Sequence, residues 1–270
     1  AAMQSKFHKM HGLGNDFVII DARDHAVEMT AARAHAIADR KTGIGFDQLI
    51  LLEPSTAADV KMRIFNADGS EVEACGNATR CVAVLLEKPA RVETMAGILE
   101  TLPQQGSAIV TLNPPALDWE LIPLAMPMDT LDMPVGWEEL ARPAAVNVGN
   151  PHVIFFVPDC DAVDLEQLGP VIEHDPLFPE RINVNVASIV DRSHIRLRVW
   201  ERGVGLTRAC GTGACATAVA AIRKGLVASP VKVSLPGGDL VIAWQPDGPI
   251  EMTGPATYVY SGQADWSRFG

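Results

Sequence analysis

The sequence lacks any run of about 18 apolar residues, so no membrane-spanning helix is expected. Its first residues, AAMQSKFHKM, lack the apolar segment of a signal peptide. Positive charge is also scarce, because 22 Lys and Arg stand against 33 Asp and Glu, for a formal net charge of -11. Binding to a nucleic-acid backbone requires clustered cations. We therefore expect a cytoplasmic location, with neither a membrane nor a nucleic acid as partner.

Cysteine is scarce as well. The five cysteines are an odd number in a chain long enough to fold without cross-links, which indicates thiols in a reducing compartment rather than a disulfide scaffold. The glycine-rich stretch GTGACA (211–216) opens an apolar helix pattern, but it has no Lys where a phosphate-binding loop would need one. These glycines therefore serve another purpose beside Cys210.

The two halves of the chain resemble each other at a shift of 135 residues. GNDFVI (14–19) aligns with GNPHVI (149–154), and ACGN (74–77) aligns with ACGT (209–212), with further matches between them. Matches in the same order at a constant shift indicate an internal duplication. The shift drifts to about 140 after the second cysteine motif, as variation in loop length would produce.

Strands and helices are predicted from local patterns in both halves. β-Branched or aromatic runs bounded by turn residues predict strands at 17–21, 48–53, 60–66, 108–113, 152–157, 195–200, 231–235 and 240–244. Helices are predicted at 30–43, 75–88, 164–174 and 210–225, the last ending at Gly225. We predict an α/β fold of two pseudo-symmetric domains, residues 1–118 and 119–270, with the last strand of the chain a candidate to join the first domain.

The repeat places one Cys-Gly pair at a strand-to-helix turn in each half. A cleft between two such domains would set Cys75 and Cys210 on opposite faces of a ligand, which suits racemisation or epimerisation at one carbon. A thiol has a pKa of about 8.5, which a helix N-terminus lowers, so a thiolate base is accessible near neutral pH. The second thiol must keep its proton in order to deliver it from the other face.

Several motifs together resemble those of the diaminopimelate epimerase family. They are MHGLGNDFVIID, DQLILLEPS, FNADGSEVEACGNATRC, VGNPH, ERGVGLTRACGTGACA, LPGGDL and MTGPA, and they lie along nearly the whole chain. The resemblance implies a homodimeric isomerase that interconverts LL- and meso-diaminopimelate, without a cofactor or metal, in the synthesis of lysine and peptidoglycan precursors. It also implies that each domain is a mixed, barrel-like sheet around a central helix, with the active site in the cleft between the domains.

The resemblance carries residue roles over by position. Cys75 and Cys210 match the acid/base cysteines, His152 and Glu201 match residues that tune the thiols, and Tyr260 matches a dimer contact. The residues that match the substrate-contacting set are Asn15, Gln48, Asn66, Gly76, Asn77, Asn150, Asn183, Glu201, Arg202, Gly211 and Thr212. The sequence departs from the family pattern at Ala78-Thr79, where many members have Gly-Ala, and at Asn185, where glycine is also found.

Two alternatives remain at the level of sequence. A proline racemase is disfavoured because that family carries Cys-Gly-His where this chain has Asn77. A metal or redox module would use Cys81 and Cys215 as well. At about 100° per residue, however, Cys81 lies about 240° around the helix from Cys75, and Cys215 lies about 140° from Cys210. We therefore predict that Cys81 and Cys215 pack in the core.

Overall fold

A computed structural model describes residues 4–73 and 75–270 of the chain. These residues form two compact units. The first comprises the described residues up to Val110 together with Gly254–Gly270, and the second is Thr111–Thr253. The last strand of the chain thus groups with the first unit. The boundary between residues 118 and 119, and the common origin of the halves, stay predictions.

Strands and helices alternate along the described residues. The strands are β1 (Gln4–Gly12), β2 (Asn15–Asp21), β3 (Gln48–Glu53), β4 (Val60–Asn66), β5 (Glu71–Val72), β6 (Ala90–Thr94), β7 (Gly97–Gln104), β8 (Ser107–Leu112), β9 (Gly136–Trp137), β10 (Leu140–Ala141), β11 (Ala144–Asn147), β12 (Pro151–Phe156), β13 (Asn183–Asp191), β14 (His194–Glu201), β15 (Gly205–Thr207), β16 (Val231–Leu235), β17 (Gly238–Trp244), β18 (Ile250–Pro255) and β19 (Thr257–Asp265). The helices are α1 (Ala31–Ala38), α2 (Gly76–Leu86), α3 (Leu165–Glu173) and α4 (Gly211–Arg223). The predicted α/β class is confirmed. Within the described residues, no helix has the length and apolar character needed to cross a membrane.

Both units pair their strands in the same order. In the first, β2 is parallel to β3, β4 is antiparallel to β3 and β5 and parallel to β6, and β6 is antiparallel to β7. In the second, β12 is parallel to β13, β14 is antiparallel to β13 and β15 and parallel to β16, and β16 is antiparallel to β17. Parallel neighbours need crossover connections, and one helix supplies each of them.

The strand registers of the two units also correspond. In the first unit, Phe17 pairs with Gln48. In the second unit, His152 pairs with Asn183, and both of these residues lie 135 positions after their counterparts in the first unit. After the cysteine-capped helices the same pairing recurs at a shift of 141 residues. The drift arises because α4 has 13 residues where α2 has 11, and because the loop that follows α4 is longer. The shift predicted from the sequence is therefore present in the hydrogen-bond register.

Each unit packs its strands around one helix. In α4, ten of the 13 residues are buried, and nearly all of them are small, so strands such as β11 and β17 can approach it closely. Helix α2 has seven of its 11 residues buried and packs mainly against β1 and β7. The N-terminus of each central helix carries one cysteine, at the end of a strand-to-helix turn.

Helix α1 ends earlier than its sequence predicts. The pattern over 30–43 predicts a single helix, but α1 stops at Ala38. Asp39 takes an extended conformation, and its Oδ1 accepts the backbone N–H groups of Lys41 and Thr42 at 2.8 Å each. Such a side-chain acceptor gives the backbone an alternative to helical hydrogen bonds. The prediction of helix over 39–43 was therefore wrong.

Candidate active site

Cys210 is the N-cap residue of α4. Its backbone is extended (φ -147°, ψ 103°), and its Sγ accepts a hydrogen bond from the Gly213 N–H at 3.3 Å. The residue is 6% exposed. The sulfur therefore lies at the positive end of the helix dipole, where the anionic form of a thiol is stabilised.

Cys75 holds the corresponding position in the first unit. It is the N-cap residue of α2, with an extended backbone (φ -153°, ψ 115°). Thr79 closes the turn, because its N–H and its Oγ1 both donate to the Cys75 carbonyl, at 3.0 and 2.8 Å. Gly76 and Gly211 begin the two helices, where the first N–H groups have no acceptor within the helix. Both helices thus present a thiol beside backbone donors.

Asn150, His152 and Thr212 form a hydrogen-bonded cluster beside Cys210. Thr212 Oγ1 lies 3.6 Å from Cys210 Sγ, 3.1 Å from His152 Nε2 and 3.2 Å from Asn150 Nδ2. His152 Nε2 also lies 3.0 Å from Asn150 Oδ1. The structure therefore brings together four of the residues predicted for the site, although they come from β12, its preceding loop and α4.

His152 is fully buried in this cluster. Burial and the positive charge of Arg202 lower the pKa of His152 to about 3, so the ring is neutral at pH 7. A neutral imidazole has one donor nitrogen and one acceptor nitrogen. His152 can therefore orient Thr212, but it does not place a positive charge beside Cys210.

Glu201 ends β14 and lies close to Cys210. Burial raises the pKa of Glu201, while hydrogen bonds with Thr207 and Cys210 oppose that shift. A buried carboxyl group whose pKa is raised, and which is hydrogen-bonded to a thiol, is a candidate functional group. The influence of Glu201 on the thiol stays a prediction.

Asn183 holds the start of the loop after β14. Its Oδ1 accepts the backbone N–H of Arg202 at 2.8 Å, and its Nδ2 donates to the Pro151 carbonyl at 2.8 Å. The Arg202 guanidinium is partly exposed, and its Nη1 donates to the Glu180 carbonyl at 3.2 Å. Asn183 is predicted to bind substrate. In the structure its amide also links the Pro151 carbonyl to the Arg202 N–H, and this link fixes the backbone position of Arg202.

Three predicted amide residues of the first unit lie at strand ends. Gln48 begins β3, and its Nε2 donates to Asn66 Oδ1, at the end of β4, over 3.1 Å. Asn66 Nδ2 in turn donates to Ser70 Oγ at 3.2 Å. The buried Gln48 Oε1 has no hydrogen-bond partner among the residues that the structure describes. Asn15 begins β2 and is partly exposed.

Asn77 differs from the other predicted site residues, because its side chain points into the first unit. It is 3% exposed, and its Oδ1 accepts a hydrogen bond from Arg80 Nη2. Arg80 is itself fully buried, and its Nε donates to the Pro255 carbonyl at 3.3 Å. The group that Asn77 can offer to a ligand is therefore its backbone N–H in the first turn of α2.

Sequence reasoning missed two buried residues that shape this region. Glu173, at the end of α3, accepts from Trp200 Nε1 at 2.9 Å and from the Gly203 N–H and Arg181 Nη1 at 3.1 Å each. Through its hydrogen bond with the Gly203 N–H, Glu173 therefore fixes the position of the loop that follows β14. The second residue is Asn185, which donates a hydrogen bond to His152. Residues two apart on a strand point to the same face, so the position of Asn185 two residues after Asn183 was a sequence signal that could have identified it.

Cys81 packs in the core as predicted. It is fully buried among apolar residues of the first unit, and burial raises its pKa to about 12. The thiol is therefore protonated at neutral pH. A protonated, apolar-packed thiol is a poor metal ligand, which disfavours the metal-module alternative.

Comparison with solved structures shows the class of fold. A hydroxyproline epimerase from Agrobacterium vitis superposes with a TM-score of 0.68, covering 97% of this chain and 92% of that one, at 14% sequence identity. At this identity the likeness concerns the fold alone. The chain thus has the mixed α/β architecture also found in that epimerase.

Sequence comparison shows the family. The family model described as diaminopimelate epimerase matches residues 7–115 and 144–259. Relatives named diaminopimelate epimerase in Sphingopyxis alaskensis and Rhizorhabdus wittichii are 72% and 70% identical, over 99% of this chain and 100% and 98% of theirs. The chain belongs to the diaminopimelate epimerase family, and it is an enzyme of the isomerase class.

Proposed function

We propose that the chain interconverts LL- and meso-diaminopimelate by moving a proton between one α-carbon and two cysteines. One cysteine, as the thiolate, removes the α-proton from one face. The other, as the thiol, donates its proton to the opposite face, so that the stereocentre inverts and the two cysteines exchange protonation states. Family membership supports this substrate, and the resemblance assigns removal of the LL proton to Cys75 and of the meso proton to Cys210.

The observation that carries the proposal is the placement of both cysteines at helix N-termini. Cys210 Sγ already accepts the Gly213 N–H at 3.3 Å, in the geometry that stabilises a thiolate. Cys75 caps α2 with nearly the same backbone angles. Two thiols serving one carbon titrate as a coupled pair, so that one can be ionised while the other stays protonated.

The remaining residues of the predicted set bind the two ends of the substrate. Backbone N–H groups in the first turns of α2 and α4 (Gly76, Asn77, Gly211 and Thr212) hold the reacting carboxylate, whose negative charge grows as the proton leaves. Arg202 pairs with the distant carboxylate. The unpartnered Gln48 Oε1 is available to an ammonium group. The amides of Asn15, Asn66, Asn150 and Asn183 complete the polar lining.

Deuterium incorporation tests this reaction. In D2O, with no cofactor added, we expect deuterium to enter one α-carbon of meso-diaminopimelate as the LL isomer forms. Proton NMR measures this exchange. L-Proline under the same conditions should show neither exchange nor racemisation. Exchange into proline but not diaminopimelate would contradict the proposal and favour a proline racemase. The biosynthetic role in making lysine and peptidoglycan precursors, in the cytoplasm, follows from the proposed substrate and from the resemblance.

We also propose that the chain forms a homodimer through β19. Tyr258, Val259 and Tyr260 are consecutive on this strand and are 43%, 54% and 45% exposed. Exposed large apolar side chains grouped on one strand are a feature of association sites. The Tyr260 ring packs edge-on against Phe7 at 6.2 Å, which holds it in place at the surface.

Substitution of Tyr260 tests the dimer. We expect sedimentation to show a dimer for the unmodified chain and mainly monomer for Tyr260→Asp, because a charge in an apolar contact is costly to desolvate. Val241→Asp adds the same charge at a similarly exposed position on β17 and should remain dimeric. A dimer that persists in Tyr260→Asp would refute this assignment.

A further inference from the structure

Asn185 is a buried amide that the predicted mechanism does not use. It lies in β13 opposite Ile154 of β12 and has no exposed surface. Its Nδ2 lies 2.9 Å from His152 Nδ1 and 3.2 Å from the Val153 carbonyl oxygen. Both neighbours are thus within hydrogen-bond distance of the same nitrogen.

The Val153 carbonyl determines which way this amide points. A carbonyl oxygen only accepts hydrogen bonds, so it must face the NH2 group, and the reversed amide would place two acceptors together. The second N–H of the NH2 group then points at His152 Nδ1. That ring nitrogen is therefore the acceptor, and in the neutral ring the proton resides on Nε2.

The proton on Nε2 sets the direction of the remaining hydrogen bonds. It is donated to Thr212 Oγ1 and Asn150 Oδ1, at 3.1 and 3.0 Å, and Asn150 Nδ2 donates to Thr212 Oγ1 at 3.2 Å. With both lone pairs of Thr212 Oγ1 engaged, its own proton points to the remaining neighbour, Cys210 Sγ, at 3.6 Å. The sulfur then accepts from both the Thr212 hydroxyl and the Gly213 N–H.

We propose that Asn185 is a positioning residue that holds His152 in its Nε2–H tautomer and thereby turns the Thr212 hydroxyl toward Cys210. In the other tautomer, Nε2 would accept the Thr212 proton and the sulfur would lose one of its donors. A hydrogen bond to a charged acceptor is stronger than one to a neutral acceptor, so the donated bond favours the thiolate. This role rests on the proposed function only in taking Cys210 as a base.

A second feature shows that this orientation of the Asn185 amide has a cost in free energy. Asn185 Oδ1 is buried and has no hydrogen-bond partner among the described residues, a state that proteins avoid. It points at the first turn of α4, where a Cβ on Gly213 would lie 2.6 Å from it and 3.2 Å from Cys210 Sγ. The Asn185 side chain therefore makes its hydrogen bonds through its two N–H groups alone, and a Cβ at residue 213 would force this side chain to shift.

The charged groups around this chain of hydrogen bonds are Glu201 and Arg202. Glu201 is hydrogen-bonded to Cys210, and its pKa is raised by burial. Arg202 acts on His152 from the loop after β14 and keeps the ring neutral together with burial. Neither group contacts Asn185 in the structure's hydrogen-bond network, so a change at Asn185 alters the tautomer without removing a charged partner of the thiol.

The tautomer can be measured directly in the intact enzyme. Nitrogen-15 histidine labelling and NMR distinguish the protonated from the unprotonated ring nitrogen, and a His152→Gln sample identifies the signal. We expect the Nε2–H form in the unmodified chain. We expect the Nδ1–H form in Asn185→Asp, where a carboxylate replaces the donor, and a mixture in Asn185→Ala. Asn113→Asp, at an exposed site, is the matched control and should leave the tautomer unchanged.

The consequence for the thiol is measured by the pH dependence of Cys210 alkylation, followed by mass spectrometry of its peptide. The pH of half-maximal rate should rise by about one unit in Asn185→Asp and Thr212→Val, the size expected for one lost hydrogen bond to a charged group. Asn185→Ala, which adds no charge, provides the test if the aspartate variant does not fold. An Nδ1–H form in the unmodified chain, or unchanged alkylation in a folded Asn185 variant, would overturn the proposal. Neither readout requires epimerase activity.

Discussion

Alanine at Cys210 is expected to slow the interconversion of LL- and meso-diaminopimelate by roughly 10²- to 10⁴-fold, the usual contribution of a positioned general acid or base. Cys75→Ala should have the same effect, because each direction of the reaction needs one cysteine as base and the other as acid. Both rates are measured by NMR under saturating substrate. The second cysteine of each helix supplies the matched controls, since Cys81→Ala and Cys215→Ala change buried packing positions and should retain most activity.

Isotope exchange in the same variants distinguishes a two-base mechanism from a one-base mechanism. In Cys75→Ala, the remaining Cys210 can remove the α-proton of the meso isomer and return deuterium to the same face. We therefore expect slow deuterium incorporation without inversion in that variant. Inversion at a near-normal rate in either alanine variant would eliminate the two-cysteine mechanism, whatever the exchange result.

Acidification is expected to destabilise the fold through His152. Burial and Arg202 lower the folded-state pKa to about 3, from an ordinary value of 6.5. Between these values the unfolded chain binds a proton that the folded chain does not, so the free energy of unfolding falls as the pH drops below 6.5 and levels off near 3. The loss from this group at pH 5 is about 2 kcal/mol, at about 1.4 kcal/mol per pH unit.

Urea unfolding at pH 7, 6 and 5 measures this dependence. His152→Gln keeps a hydrogen-bonding side chain but cannot titrate, so its stability should fall less with acidification than that of the unmodified chain. His25→Gln removes an exposed histidine and should follow the unmodified chain. If the free energy of unfolding depends on pH in the same way for the unmodified chain and for His152→Gln, then His152 is protonated equally in the folded and unfolded states, and the prediction is wrong.

Much of the secondary structure could be predicted from local patterns. The strands β3, β4 and β16 begin and end where their β-branched runs predict, and Gly225, with a positive φ of 71°, follows the end of α4. No local pattern predicted β1 or the bounds of β19, although a last strand joining the first domain was expected. Their sequences mix polar and apolar residues, and they pair with each other across about 250 residues of chain, as Gln4 does with Asp265. Such pairing depends on tertiary contacts rather than on local preference.

The sequence by itself determined that Cys75 and Cys210 are equivalent, because each precedes a glycine at the start of an apolar helix pattern and the shift between them is constant. Helix N-termini are local features, so their electrostatic effect on a thiol follows from short-range pattern alone. Only the tertiary structure decided the environment of Cys210. The direction of the hydrogen bond from Thr212 depends on the His152 tautomer, and that tautomer depends on Asn185 from a neighbouring strand. A hydrogen-bond direction requires both partners in place, and strand pairing between distant segments supplies them.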